Sequence, residues 1–233
     1  EKPAFKVEKY CEKHKDFIEG KVNYLQVGYH MNYEDGFKEI CKIIRNKSMG
    51  NLLKLEIFSG HGIAYKTNFK DSWRAKDPEI IIETVMSHLI NIVLKINGGS
   101  KLTRDIAILK KNEEIGYYDT CHLGGVLDNG AMYSLTASWG APLKNIVRAY
   151  FSDGFWSYNY DIGEITKQYP RDIFDQRGYF IPPKVTRKKI VMNGLENSIS
   201  YFLEKMSKNQ KEIFEFNESQ LTARIVEEFT LID

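Results

Sequence analysis

The run from Ile80 to Ile96 constrains this chain more than any other stretch. It is the longest apolar segment, yet Glu83, Ser87, His88, Asn91 and Lys95 interrupt it. It therefore falls short of the ~18 apolar residues that a membrane span needs. Ile81, Val85, His88 or Leu89, and Ile92 recur at helical spacing, and most of the remaining positions are also apolar. A helix that is apolar nearly all round has to be buried, so the pattern predicts a helix over Pro78–Ile96 packed against a sheet. Asp77-Pro78-Glu79 carries start signals, and Asn97-Gly98-Gly99-Ser100 stops it. Leu52 to Phe58 precedes it as a strand dense enough in Leu, Ile and Phe to be buried on both faces. Met132 to Ala137 follows as a second strand, with Tyr133, Leu135 and Ala137 alternating.

The other segments fit around this unit. Lys21 to Val27 reads as a short strand ended by Gly28. Phe37, Ile40, Cys41, Ile43 and Ile44 give a helix from about Tyr33 to Lys47, with Asn32 as its cap and Gly50 as its stop. Ile106–Leu109 and Ile115–Tyr118 are short apolar pieces, and the second leads into Cys121. Leu143–Phe151 reads as a short helix, and 154–178 as irregular and rich in aromatics. Leu195–Met206 and Gln220–Phe229 read as helices. Strand, helix, strand, helix, strand in that order predicts an α/β fold: a mostly parallel central sheet flanked by helices, in one domain over residues 1–233. In such a sheet reactive groups gather beyond the carboxyl ends of the strands.

Charge excludes some classes of partner. A net charge of +2 over 233 residues gives no field for nucleic acid or an anionic membrane. The basic stretch Lys184–Lys189 reads as a solvated face. Cys11, Cys41 and Cys121 cannot all pair, and they lack metal-ligand spacing, so no metal is expected on them. A reducing compartment and a secreted protein with free thiols both fit. The chain opens on Glu1 rather than Met, which reads as a processed or excised form.

Two glycine-bounded segments carry the candidate chemistry: Phe58-Ser59-Gly60-His61-Gly62, and Asp119-Thr120-Cys121-His122-Leu123-Gly124-Gly125. Each follows an apparent strand, and the long helix lies between them. A thiol becomes nucleophilic as the thiolate, which a nearby imidazole favours, and the imidazole then protonates the leaving amine. The backbone N–H groups of Gly62 and Cys121 are the natural oxyanion donors. His14, His30 and His88 show no catalytic partner, and His88 reads as a core or boundary histidine. Phe155 to Tyr160 reads as loop packing or as the wall of a cleft.

Over residues 50–140 these segments resemble the caspase-like cysteine peptidases. Ser59-Gly60-His61-Gly62 is similar to their histidine motif, and Asp119-Thr120-Cys121-His122 to their cysteine motif in its metacaspase form. The resemblance implies a caspase-like sheet with a divergent C-terminal part, His61 as general acid/base and Cys121 as nucleophile. It implies oxyanion donation by Gly62 and Cys121, and a strand 132–139 that lines the cleft and ends at Trp139. Asp119 becomes either a pocket residue for a basic side chain or a turn cap, and His122 a supporting residue. The implied activity is endopeptidase cleavage of a protein or peptide substrate without cofactor; the calcium dependence common in metacaspases is not carried over, because no acidic cluster here matches. A regulatory partner or self-processing is compatible with that activity, whereas nucleic acid and a membrane span are not expected. A catalytically silent binding module and another cysteine hydrolase, such as a deamidase, are the alternatives.

Overall fold

A computed structural model describes residues 8–66, 68–76, 79–98, 102–114, 116–169, 176–179, 181–208 and 214–230. The apolar run is helical and lies against a sheet, as its pattern requires. Before it come α1 (Glu8–Lys21), a 3-10 turn (His30–Tyr33), α2 (Asp35–Asn46) and β1 (Leu52–Gly60). A 3-10 turn (Phe69–Asp71) and the short α3 (Trp73–Lys76) lead to a π-helical turn, Ile82–Met86, which runs directly into α4 (Ser87–Ile96). Then follow β2 (Ile106–Asn112), β3 (Tyr117–Val126), β4 (Met132–Ser138), β5 (Lys144–Phe151) and β6 (Gly154–Asn159). A 3-10 turn (Tyr160–Ile162), β7 (Glu164–Tyr169), β8 (Lys184–Lys189), α5 (Gly194–Ser207) and α6 (Phe214–Thr230) complete the chain. The expected helix start at Asp77 and Pro78, its stop at Gly99 and Ser100, and Ile115 lie outside the described residues. Among the described residues no helix is long and apolar enough to cross a membrane.

The fold is α/β, but the sheet is mostly antiparallel, which corrects the parallel, caspase-like expectation. Its eight strands run in the order β2-β3-β4-β1-β5-β6-β7-β8, and β1 with β4 is the one parallel pair among them. The reason lies in the connections. A parallel neighbour needs a long crossover, and only the path from β1 through α4 to β4 is that long and helical. Downstream, tight turns such as Leu127–Ala131 (Leu127 N to Ala131 O, 2.8 Å) force antiparallel hairpins.

Buried residues on one face of the sheet form the core with the helices: Leu55 and Ile57 of β1, Leu123 of β3, Leu135 of β4, Val147 and Ala149 of β5, and Trp156 and Tyr158 of β6. The other face carries Lys54, Glu56 and Arg148, with Arg148 to Glu56 at 2.8 Å. β1 is thus buried on one face only, not on both. Residues 144–151 form a strand rather than a helix, because Val147, Ala149 and Phe151 alternate inward with period two. Within the aromatic region expected to be irregular, residues 154–169 form the β6–β7 hairpin, with Trp156 and Tyr158 pointing inward, while 170–175 lie outside the described residues. Residues 22–27 are an extended connector rather than a strand. The Gln26 side-chain amide donates to the Ser198 carbonyl (3.0 Å), and Tyr24 packs on Phe202. The basic stretch is β8, exposed throughout, which suits lysines on an edge strand.

Candidate functional site

The parallel strands β1 and β4 end side by side, and the ladder continues past them: His61 N donates to Ser138 O at 2.9 Å. The chain must then turn away. Gly62 does so with φ +60, and a Cβ at Gly60 would sit 2.4 Å from the Pro142 carbonyl crossing above it. This brings the His61 ring out at the carboxyl end of the parallel pair.

A hydrogen-bonded chain lies behind that ring. Ser59 pairs across the sheet with Asn145 of β5. Its Oγ donates to Asn145 Oδ1 at 2.6 Å and meets His61 Nε2 at 3.3 Å. Asn145 in turn donates through both its backbone N and its Nδ2 to the Asp161 carboxylate, each at 2.7 Å. Asp161 sits in the turn after β6, next to Tyr160.

A second imidazole comes from the long helix. The π-helical turn places Thr84 and Val85 toward this end of the sheet, and His88 follows in the first turn of α4. Such turns are frequent where a helix presents side chains to a site. The Thr84 hydroxyl donates to the Ile80 carbonyl at 2.5 Å. The His88 ring lies edge-on to Tyr29 (5.4 Å between centroids) and to His30 (5.7 Å).

His30 opens a 3-10 turn that is tied down on three sides. Asn32 donates to Asn91 of α4 (2.5 Å), and Tyr33 O accepts from Asn197 of α5 (3.0 Å). The Glu34 carboxylate, 1% exposed, accepts from Gly194 N (2.7 Å) and from the Tyr158 hydroxyl (3.4 Å).

Together His30, His61, His88, Ser59, Asn145 and Tyr160 line a cavity of about 180 Å³, whose apolar wall is Met31, Val85 and Leu89. Burial, then the nearby Glu34 and Asp161 carboxylates, pushes the Tyr160 phenol above its usual range, so it stays a neutral hydroxyl. Three imidazoles, an amide and a phenol around a small space can orient a polar molecule and move one of its protons. Among the described residues no group of three or more His, Cys, Asp or Glu side chains is placed to hold a metal ion.

The structure separates the other residues singled out in the sequence. Cys121 lies within β3, facing Ala137, and is 1% exposed. Ser59 faces the same Ala137 from the far side, so two strand spacings, about 10 Å, separate Cys121 from the strand that leads to His61. Burial drives the Cys121 thiol far above its ordinary pKa, opposite to what a nucleophile requires. The Gly124-Gly125 pair is not a turn behind it but strand, and a Cβ at Gly125 would sit 2.0 Å from the Thr103 carbonyl. Asp119 is buried, accepts from Asn112 Nδ2 at 3.1 Å and packs against Gly140. Trp139 is in the core against Phe69. His122 points to the open face and meets Thr136 at 2.9 Å.

His30 and His88 complete the cavity, although in the sequence neither showed a catalytic partner and His88 read as a core or boundary histidine. The signal for His88 was its position on the long helix one turn after Thr84, on the crossover that must end beside β1.

No protein-family model matches the sequence, and no curated protein does. Solved structures do. Levoglucosan dehydrogenase in complex with NADH and levoglucosan is similar with a TM-score of 0.81 at 14% identity, covering 98% of this chain and 69% of that one. A 3-ketoreductase from Actinomadura kijaniata in complex with NADP and TDP-benzene is similar with a TM-score of 0.74 at 11% identity, covering 97% and 67%. A dehydrogenase from Clostridium difficile gives 0.71 at 12% identity, covering 96% and 65%. This chain therefore spans about two thirds of the length of these proteins. Likeness at such identity establishes the fold, and it overturns the caspase-like resemblance together with the cysteine endopeptidase activity read from it.

Proposed function

We propose that this chain carries the substrate site of an NAD(P)-dependent oxidoreductase, acting on a small hydroxyl- or keto-bearing compound. The observation that carries this reading is the convergence of His30, His61 and His88 on one cavity at the carboxyl end of the parallel strands. Oxidation of an alcohol carbon requires the hydroxyl proton to leave, and reduction of a ketone requires one to arrive. An imidazole is the side chain best matched to that transfer near neutral pH. His88, flanked by the Tyr29 and His30 rings and carried on a rigid helix, is assigned this role. Asn145 and Tyr160 orient the other polar groups of the substrate. The likeness to dehydrogenases and a ketoreductase supports the reaction class.

A dinucleotide is usually held at a glycine-rich turn that leads from a strand straight into a helix N-terminus. The described residues do not fit that need. Gly60-His61-Gly62 follows β1, but the chain then runs through a loop, a 3-10 turn and the short α3 before the crossover helix, which is formed at Ile80, so among the described residues no helix N-terminus directly follows the glycine turn. The substrate site is accordingly the part of such a reaction that we assign to the described residues.

Calorimetric titration with a panel of cyclic polyols and ketoses, beginning with levoglucosan and L-sorbose, tests the reading. Saturable one-to-one binding is expected, weakened about tenfold or more in His88→Ala. Absence of binding by every member, or binding that His88→Ala leaves unchanged, contradicts it.

A further inference from the structure

We infer that Asp161 is a positioning residue for His61, acting through Asn145 and Ser59 to fix which ring nitrogen carries the proton. The inference rests on the substrate-site reading above for its functional meaning, but its structural content stands on its own.

The directions of the hydrogen bonds follow one from another. A carboxylate only accepts. Asn145 meets Asp161 with its backbone N and with Nδ2, both at 2.7 Å, so its amide is held nitrogen toward Asp161 and oxygen toward Ser59. An amide oxygen also only accepts, so the Ser59 hydroxyl must donate its one proton to Asn145 Oδ1, at 2.6 Å. The oxygen of Ser59 then has only lone pairs to offer His61 Nε2, at 3.3 Å. A neutral His61 is therefore held with its proton on Nε2 and its lone pair on Nδ1.

Burial keeps water from competing with this chain at its middle link, since Ser59 is only 6% exposed. The register places the link: Ser59 is opposite Asn145 on the antiparallel β1–β5 pair, and both sit at the strand ends beside the cavity. The turn that supplies Asp161 also supplies Tyr160, which lines that cavity. A ring fixed in this tautomer meets its surroundings at Nδ1 as an acceptor.

Long-range 1H–15N spectra of the protein labelled at histidine nitrogens, at a pH where the ring is neutral, read the tautomer directly. Wild-type His61 is expected as the Nε2–H form. Asp161→Ala and Ser59→Ala should each convert it to a mixture, and Ser59→Thr, which keeps the hydroxyl, should retain it. His122, bonded to Thr136 on the opposite face, reports folding and should not change in any of them. Affinity for a polyol that binds the wild type should fall about tenfold in Asp161→Ala, as expected when one hydrogen bond is misdirected. The inference is overturned if wild-type His61 is the Nδ1–H form or already a mixture, or if both alanine variants leave the tautomer unchanged. Failure of every polyol to bind a protein whose His61 does respond to Asp161→Ala would support the positioning role and count against the substrate-site reading alone.

Discussion

Replacing Gly194 by Ala probes the tie between α5 and the turn that carries His30. Gly194 N donates to the buried Glu34 carboxylate at 2.7 Å. A Cβ at Gly194 would lie 2.5 Å from Glu34 Oε1 and 2.7 Å from the His30 carbonyl, inside any tolerable contact. Either the carboxylate moves or α5 lifts away. Overpacking of this kind costs about 1–3 kcal/mol. A weakened hydrogen bond to a buried charge adds a share of about 1.5–3 kcal/mol. The gain from removing a glycine at a helix start offsets less than about 1 kcal/mol. A net loss of roughly 2–4 kcal/mol follows, or about 4–15 °C in Tm for a domain of this size. Urea and thermal unfolding followed by circular dichroism measure it. Gly28→Ala is the control: nothing lies within 4 Å of its Cβ position, so its effect should stay within about 0.5 kcal/mol. If Gly194→Ala matched that control, the proposed clamp around Glu34 would be refuted. Because the His30 carbonyl is part of the clash, ligand affinity should fall in the same variant.

Other consequences can be checked independently. Iodoacetamide followed by mass spectrometry should label the half-buried Cys41 ahead of Cys121, since Cys121 is almost fully enclosed; faster labelling of Cys121 would contradict its placement. Cys121→Ala should cost about 1–2 kcal/mol of stability by leaving a small void, without altering polyol binding. Tyr133 donates to the Thr103 carbonyl at 2.7 Å, and burial pushes its phenol from 10.0 up to about 12. Between those values the unfolded chain loses the proton first, so this tyrosine's contribution is complete below pH 10 and is lost as pH rises toward 12. Tyr133→Phe should therefore cost about 0.5–1.5 kcal/mol at neutral pH. Its deficit against the wild type should shrink in urea titrations at increasingly alkaline pH, and a constant deficit would count against the assignment. Arg148→Met should change stability by less than about 1 kcal/mol, because the Arg148–Glu56 pair lies on the open face.

The sequence was informative where one periodicity dominated. The helix ending at Ile96 and the alternation of Tyr133, Leu135 and Ala137 were both legible. It was ambiguous where two periodicities coincided. Leu143, Val147 and Phe151 fit a helical face, while Val147, Ala149 and Phe151 fit a strand, and pairing with β1 and β6 decides for the strand. Strand direction was not legible, because it depends on whether each short connection is a turn or a crossover. Glycine pairs misled for a physical reason: Gly125 permits the Thr103 carbonyl to approach within a strand, which in a sequence looks like a strand end. One member of the site, His61, stood out by its flanking glycines. His30 and His88 did not, since only the folded topology sets the 3-10 turn and the π-helical turn against β1. Motifs a few residues long around His61 and Cys121 could not reveal that β4 lies between them.

The most direct test of the central claim is to follow all five histidine side chains by NMR while a polyol such as levoglucosan is titrated into the protein. The ring resonances of His30, His61 and His88 are expected to shift together and saturate with one dissociation constant. Those of His14 on α1 and His122 on the open sheet face should stay still. Shifts at His14 or His122 of equal size, or no shift at His30, His61 and His88 with any polyol of the panel, would contradict the assignment of the cavity as the substrate site.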